Sequence, residues 1–291
     1  MPELTDRKGI ILAGGTGSRL SPLTKAVSKQ LMPIYDKPMI YYPLTILMQA
    51  NISEILIITT PQDKHQYKNL LGDGSQWGLQ LEYQTQARPD GLAQAFILAD
   101  KFLNGAPSAM ILGDNIFFGH GLPEMLRNAN KRTDKSTIFG YHVADPERYG
   151  VLGFDQNGIV KTIIEKPDLP QSNYAVTGLY FLDGTAPKRA KNLKPSARGE
   201  LEITSLLETY LKDGDLYVET MGNGYAWLDT GTHSSLLDAS NFVRTLIERQ
   251  GLQVGSPDEI AYKLKWITKG QLAKNAQVFG KNIYGQYLQN L

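Results

Sequence analysis

"KGIILAGGTGSRL", residues 8–20, sets an apolar run directly before a turn that carries Gly14, Gly15 and Gly17. So short a run, apolar at alternating and intervening positions alike, suits a strand buried on both faces. The turn after it fits neither common nucleotide-binding spacing. A dinucleotide fingerprint needs a third glycine three residues after Gly17, where Leu20 stands, and a P-loop needs Gly-Lys-Ser/Thr five residues after Gly14 or Gly15.

Outward from this point, "EILIIT", "LQLEYQ" and "SAMILG" are further strand-length runs, separated by helix-length segments near residues 39–50, 63–71 and 91–103. This alternation predicts an α/β chain with a Rossmann-like, mostly parallel central sheet flanked by helices. Ligands of such sheets sit beyond the carboxyl ends of the strands, so the glycine turn lies on the binding rim. From about residue 136 the pattern becomes "STIFGYHV", "YGVLGFDQNGIVKTIIEKP" and "YAVTGLYFL", with "DQNG" as a hairpin signal, which reads as mixed-sheet insertions building a second half of the site. "THSSLLDASNFVRTLIERQG" reads as an amphipathic helix closed by Gly251, and "KGQLAKNAQVFG" as another. The expected organisation is a core over residues 1–231, its first part about 1–135 and its second about 136–231, followed by a helical C-terminal segment over 232–291.

With 291 residues, 42% of them hydrophobic, the chain can bury a substantial core. Its formal charge of +1 gives no global attraction to nucleic acid or an anionic membrane, so a polyanion must be held by local charge. The absence of cysteine excludes disulfides and thiol catalysis, and the four histidines form no His-x-x-x-His pair for zinc. "MPELTDRKG" opens no signal-peptide pattern and no run approaches a membrane span, so a cytoplasmic protein is expected.

Several stretches carry chemistry. Gly14, Gly15 and Gly17 clear the backbone for a phosphate cradle, and Arg19 adds a planar charged fork; an ordinary strand-to-helix turn with a solvated arginine is the alternative. In "SPLTKAVSKQLMPIYDKPMI", Pro33 and Pro38 fix an extended stretch that favours Lys29 as a ligand, with Lys25 and Lys37 read as solvated charges. "SAMILGDNIFFG" ends a buried strand near Asp114, and "GYAWLDTGT" brings Asp229; two carboxylates on one rim suit Mg²⁺, while a turn or cap role is open for each. In "QARPDGLAQAF", Asp90 reads as the cap of a helix beginning near Gly91, leaving Gln86 and Gly91 as the functional candidates, for a base edge and a close approach. In "TIIEKPDLP", Glu165 can accept sugar hydroxyls and Lys166 can hold a phosphate. Tyr149 with Gly150, and Val176 to Gly178, suit a sugar ring, although a bulge explains each glycine equally well.

Together with "DGLAQA", "LGDN", "ERYGV", "SNYAVTGLYF", "GYAWLDTGTHSSLL" and "EIAY", these stretches resemble the glucose-1-phosphate thymidylyltransferases over nearly the whole chain. The glycine loop marks the broader sugar nucleotidyltransferases, whereas "SKQLMPIYDKPMIYYPL" and "GYAWLDTGTH" are narrower. The resemblance implies attack of glucose 1-phosphate on the α-phosphorus of dTTP, giving dTDP-glucose and pyrophosphate, as the first step of dTDP-sugar synthesis such as that of dTDP-rhamnose. It places Gly14, Gly15 and Arg19 on the nucleotide phosphates, Gln86 and Gly91 at thymine, and Asp114 and Asp229 on Mg²⁺. It places Lys29 and Lys166 on the reacting phosphates, Tyr149, Gly150, Glu165 and Val176 around the sugar, and Arg198 near the sugar phosphate. A homotetramer with the C-terminal helices at subunit contacts is also implied.

Two stretches depart from the resemblance: in "EITSLL" Ser205 and Leu207 replace the Asp and Asn of many relatives, and in the glycine loop Ser18 replaces a frequent Thr. The alternatives are the same transfer with UTP or another nucleotide, and a non-catalytic nucleotide-sugar sensor. A dehydrogenase is a poorer third, because the fingerprint fails at Leu20.

Overall fold

The structure, a computed structural model, describes residues 6–15 and 17–291. Residues 1–5, on which the reading of the opening stretch partly falls, and Thr16 of the glycine turn lie outside the described residues. The chain runs β1 (Lys8–Ala13), β2 (Pro33–Ile34), β3 (Lys37–Pro38), α1 (Tyr41–Gln49), β4 (Glu54–Thr59), α2 (Lys64–Leu71), β5 (Gln80–Thr85), α3 (Gln94–Leu103), β6 (Ser108–Leu112), β7 (Asn115–Gly119), α4 (Leu122–Lys131) and β8 (Ser136–His142). It continues through β9 (Gly150–Phe154), β10 (Val160–Glu165), β11 (Tyr174–Leu182), α5 (Ala186–Lys191), α6 (Ile203–Asp213), β12 (Leu216–Met221) and β13 (Tyr225–Asp229). Four helices close it: α7 (His233–Gln250), α8 (Pro257–Lys263), α9 (Lys269–Val278) and α10 (Ile283–Gln289).

Strands β5, β4, β1 and β6 are parallel neighbours, in that order. The sheet then changes sense at β11, which runs antiparallel to β6 and also pairs antiparallel with β8 and β9. The central sheet is therefore mixed. The strands expected as insertions continue the parallel sheet itself, and the "DQNG" turn joins the antiparallel pair β9 and β10.

The both-face burial of the first strand follows from its period of two. Ile11 and Ala13 join Ile55, Ile57 and Ile111 in one core, against α1 and α4. Ile10 and Leu12 join Leu56, Ile58 and Met110 in a second core, against α3 and α6. Each fully buried isoleucine contributes about 2 kcal/mol, so neither face of β1 tolerates a polar substitution cheaply. A third cluster, with Leu20, Met32, Ile34 and Met39, sets α7 over the segment that follows the glycine turn.

Helix α7 starts at a capping box formed by Thr232 and Ser235 and ends at left-handed Gly251, as the sequence predicts. Helices α8 to α10 supply Ala261, Leu272, Ala276 and Leu288 to the first core. Asp258 ties the three helices to one another, accepting from Asn275 at 2.8 Å and Tyr284 at 2.9 Å, and Lys37 joins the segment to the body of the protein by donating to Gln253 at 2.5 Å. Lys37 is buried and also pairs with Asp36 at 2.8 Å, which corrects its reading as a solvated charge. Among the described residues no helix is long and apolar enough to cross a membrane.

Candidate functional site

Gly14 and Gly15 follow β1, Gln86 follows β5 and Asp114 lies just beyond β6, so the parallel strands aim their carboxyl ends at one rim. From the other half of the sheet, β10 ends at Glu165, and the ribbon of β7 and β13 brings Asp229. Two clefts open there. The larger, about 500 Å³, is lined by Arg19, Tyr149, Gly150, Glu165, Lys166, Val176 and Asp229 among others. The smaller, about 220 Å³, includes Gly15, Gln30, Gln86 and Gly91. Leu92, Leu112 and Asp114 border both, so the two spaces adjoin.

Lys29 is buried in a short 3-10 turn, Lys29–Leu31, and its ammonium pairs with Asp114 Oδ2. The turn precedes the extended stretch from which the lysine's restraint was expected to come. Asn115 Nδ2 donates to the other Asp114 oxygen at 2.9 Å. Asp229 stands opposite Asn115 in the β7–β13 register, and the Thr230 amide and hydroxyl both donate to the Asp114 carbonyl, at 3.2 and 3.0 Å. The two residues are thereby held as neighbours, and both line the larger cleft. Arg148 Nη2 lies 3.4 Å from Asp229 Oδ2, and the Tyr149 hydroxyl 3.5 Å from Oδ1. Burial, then the Asp229 charge, pushes the Tyr149 hydroxyl up to about 12, so it remains a donor at neutral pH. Arg19 Nη2 lies 2.9 Å, and Asp229 Oδ2 3.3 Å, from where a β-carbon on Gly231 would sit. A side chain there would displace that guanidinium from beside the carboxylate.

On the opposite wall, Glu165 Oε2 accepts from the Thr204 hydroxyl at 3.2 Å, while Oε1 lies 3.4 Å from Arg198 Nη2 and 3.5 Å from Lys166 Nζ. Lys166 has φ of 42°, a conformation costly for a lysine, and its amide donates to the Tyr149 carbonyl at 2.9 Å. The strain turns the chain out of β10 at the cleft. Arg198 is held chiefly by Glu202, at 2.9 Å, whose hydrogen bond raises the guanidinium's hold on its proton.

Two readings change in detail. Helix α3 begins at Gln94 with Ala93 as its cap residue and no side-chain cap, so Asp90 does not cap it. Asp90 instead accepts from Gln94 Nε2 at 2.9 Å, and Gln94 Oε1 accepts from Gln86 Nε2 at 2.6 Å, which fixes the Gln86 amide against Gly14. Gly91, with φ of 108°, lies against the Leu201 backbone, which pairs with Asp90 and Ala93. Its close approach is to the protein's own chain. At the bulged stretch of β11, Gly178 packs against Asn115 and Leu112. Leu207 is fully buried in the second core, where an asparagine would find apolar neighbours, and Ser205 is partly buried on the same helix.

Sequence reading missed Gln30, Asn115, Arg148, Thr204 and Trp227, all of which line the clefts. All five stand inside stretches already singled out, and Trp227 Nε1 donates to Asn115 Oδ1 at 2.6 Å.

Among the described residues no group of three or more His, Asp or Glu could hold a metal ion. The donor set lining the larger cleft is the two carboxylates of Asp114 and Asp229. That set fits a hard cation that takes one or two carboxylates and completes its shell with substrate phosphate oxygens and water.

A family profile described as nucleotidyl transferase matches residues 8–245. A glucose-1-phosphate thymidylyltransferase of Xanthomonas campestris pv. campestris (strain B100) is 59% identical over 288 residues, covering 99% of this chain and 98% of that one. Its counterpart from Neisseria gonorrhoeae is 53% identical over 284 residues, covering 98% and 99%. A solved Bacillus anthracis structure, assigned as a glucose-1-phosphate thymidylyltransferase and in complex with a sucrose, is similar with a TM-score of 0.75 at 42% identity, covering 82% of this chain and 95% of that one. A UDP-glucose pyrophosphorylase complexed with UDP-glucose gives 0.71 at 26% identity, covering 82% and 98%.

Proposed function

The chain belongs to the glucose-1-phosphate thymidylyltransferases within the nucleotidyl transferase family, and from that premise we propose how its two clefts divide the work. The enzyme transfers a thymidylyl group from dTTP to glucose 1-phosphate, giving dTDP-glucose and pyrophosphate. The smaller cleft takes the base and the larger one the sugar, so the shared residue Asp114 stands where the α-phosphate meets the sugar phosphate. The adjoining of the two clefts at Asp114 is the observation on which the reading rests.

The substrates bring roughly six negative charges to one point, and their repulsion opposes reaction before any bond forms. The chain answers locally. Gly14, Gly15 and Arg19 receive the nucleotide phosphates, Lys29 reaches the α-phosphate, and Lys166 draws in the phosphate of glucose 1-phosphate. Glu165 and Thr204 take sugar hydroxyls, Tyr149, Gly150 and Val176 bound the ring, and Arg198 steadies Glu165 near the sugar phosphate. Gln86 presents its amide to the base beside Gly91. Asp114 and Asp229 would hold Mg²⁺, which when bound neutralises phosphate charge and orients the oxygens around it. No protein nucleophile is needed, because the sugar phosphate is itself the attacking anion; catalysis is alignment plus charge neutralisation.

The broader setting belongs to the same proposal. Residues 1–135 form the nucleotide part and 136–231 the sugar part, with the helices of 232–291 at subunit contacts of a homotetramer. Support for those contacts comes from the exposed Leu237, Val278 and Ile283 on α7, α9 and α10. The product enters dTDP-sugar synthesis such as that of dTDP-rhamnose, in the cytoplasm. The test is pyrophosphate release from a panel of dTTP, UTP and dCTP against several hexose 1-phosphates, with and without Mg²⁺. The expected result is Mg²⁺-dependent release that is fastest with dTTP and glucose 1-phosphate. No release from any pair would overturn the reading, and faster turnover of UTP would move it to a uridylyl transfer.

A further inference from the structure

Each oxygen of Asp114 and Asp229 has a donor from the chain itself. Lys29 and Asn115 take the two oxygens of Asp114, and Arg148 and Tyr149 those of Asp229. The mechanism above gives Arg148 no role, although it lines the larger cleft. Its guanidinium holds two carboxylates unequally: Nη1 is 2.6 Å from Asp145 Oδ2, whereas Nη2 is 3.4 Å from Asp229 Oδ2. The first is a full charge-assisted hydrogen bond and the second a weak one. The guanidinium also lies over the Tyr149 ring, 5.3 Å from its centroid. It can therefore release Asp229 while keeping its stronger partner and its ring contact.

We propose that Arg148 is a positioning residue, a resident counter-cation of Asp229, its hold on the carboxylate being the hydrogen bond of 3.4 Å while Arg19 lies near it without one. Arg148 keeps that carboxylate aimed into the cleft, competes with a divalent cation arriving alone, and yields to one that arrives with nucleotide phosphates. The inference rests on Asp114 and Asp229 being the metal ligands. A lone cation would gain carboxylates already balanced by Arg148 and Lys29, and would sit in repulsive range of both. A triphosphate arriving with the cation offers Lys29 a new anion, while Arg148 falls back on Asp145, so neither charge is stranded. Metal and nucleotide then strengthen each other's binding, by one and the same factor.

The test is Mn²⁺ binding to the full chain without nucleotide, followed by the paramagnetic resonance of free Mn²⁺, together with dTTP binding at low and high Mn²⁺. Arg148→Gln should bind Mn²⁺ alone about threefold to tenfold more tightly than the parent. The factor by which Mn²⁺ strengthens dTTP binding should fall correspondingly. Arg148→Lys, which restores the charge, should stay within about twofold of the parent. Asp145→Asn, which removes the guanidinium's better partner, should shift Mn²⁺ affinity the other way and is the second probe should Arg148→Gln not fold. If Arg148→Gln binds Mn²⁺ no more tightly while Asp229→Asn weakens Mn²⁺-dependent dTTP binding, the counter-cation role fails and the metal seat stands. If Asp229→Asn leaves Mn²⁺-dependent dTTP binding unchanged, the seat itself is wrong and this inference falls with it.

Discussion

The two walls of the cleft are built on different terms. On the glycine-turn wall, Arg19 is exposed but the inner cation is buried and already paired: the Lys29 side chain is 7% exposed against Asp114, and Gln86 is buried in a relay with Gln94. On the Glu165 wall, Lys166 and Arg198 keep 48% and 44% of their side chains exposed, in ion pairs of 3.4 Å or more to Glu165. Exposed pairs of this kind are each worth about 0 to 1 kcal/mol, whereas breaking a buried one strands a charge. Substitution of the buried, paired Lys29 should therefore damage chemistry and fold together. Substitutions on the second wall should change the affinity for one substrate.

The largest effect should come where the walls meet. Asp114→Asn combined with Asp229→Asn should lower Mg²⁺-supported pyrophosphate release by about a thousandfold or more, since the variant cannot hold the cation against the phosphates. Full activity at ordinary Mg²⁺ would remove the junction on which both halves depend. Next comes the direct contrast of the two lysines. Lys29→Met should cut kcat by about a hundredfold and also lower Tm, because Asp114 loses its buried partner. Lys166→Met should raise KM for glucose 1-phosphate by about tenfold to a hundredfold, with KM for dTTP and Tm nearly unmoved. Equal effects of both on the same parameter would break the comparison.

Two glycines sharpen it further. A β-carbon on Gly15 would meet nothing within 4 Å, whereas one on Gly91 would collide with the Leu201 backbone at a φ of 108°. Gly91→Ala should thus cost about 1–3 kcal/mol of stability, seen as a Tm lowered by several degrees. Gly15→Ala should leave Tm in place and raise KM for dTTP. A reversed pattern would make Gly91 the ligand-facing glycine and Gly15 the structural one.

What was legible in the sequence was local. The apolar runs of β1, β4 and β6 announce burial on both faces, and Asp114 and Glu165 are marked by the strands that lead into them. What was hidden depends on chain topology. Nothing near Gly91 signals that Leu201 passes against it, and nothing near Asp229 signals Arg148, because those pairs form only once β9, β13 and the segment before α6 are in place. Lys37 looked solvated because its charge is visible locally, while Gln253 and Tyr284, which cover it, come from the C-terminal segment. Asp90 and Gly91 carry the look of a helix start, whereas the backbones of Asp90 and Ala93 pair with Leu201 and hold the start of α3 back to Gln94.

The smallest expected effect tests how far the pre-paired character of the first wall extends. Asp90 is the outermost member of a relay in which Gln94 donates to it and Gln86 donates to Gln94. Asp90→Ala removes one charge-assisted hydrogen bond at a partly exposed position, worth about 1 kcal/mol where it restrains Gln94. Gln94 then rotates more freely, and the Gln86 amide loses the partner that fixes its orientation toward the base cleft. The expected outcome is a rise of about twofold to fivefold in KM for dTTP, with KM for glucose 1-phosphate and Tm within error of the parent. Equal weakening of both substrates would mean that Asp90 supports the Leu201 segment between the clefts and not the base. An unchanged KM for dTTP would place the limit of the paired wall at Gln94.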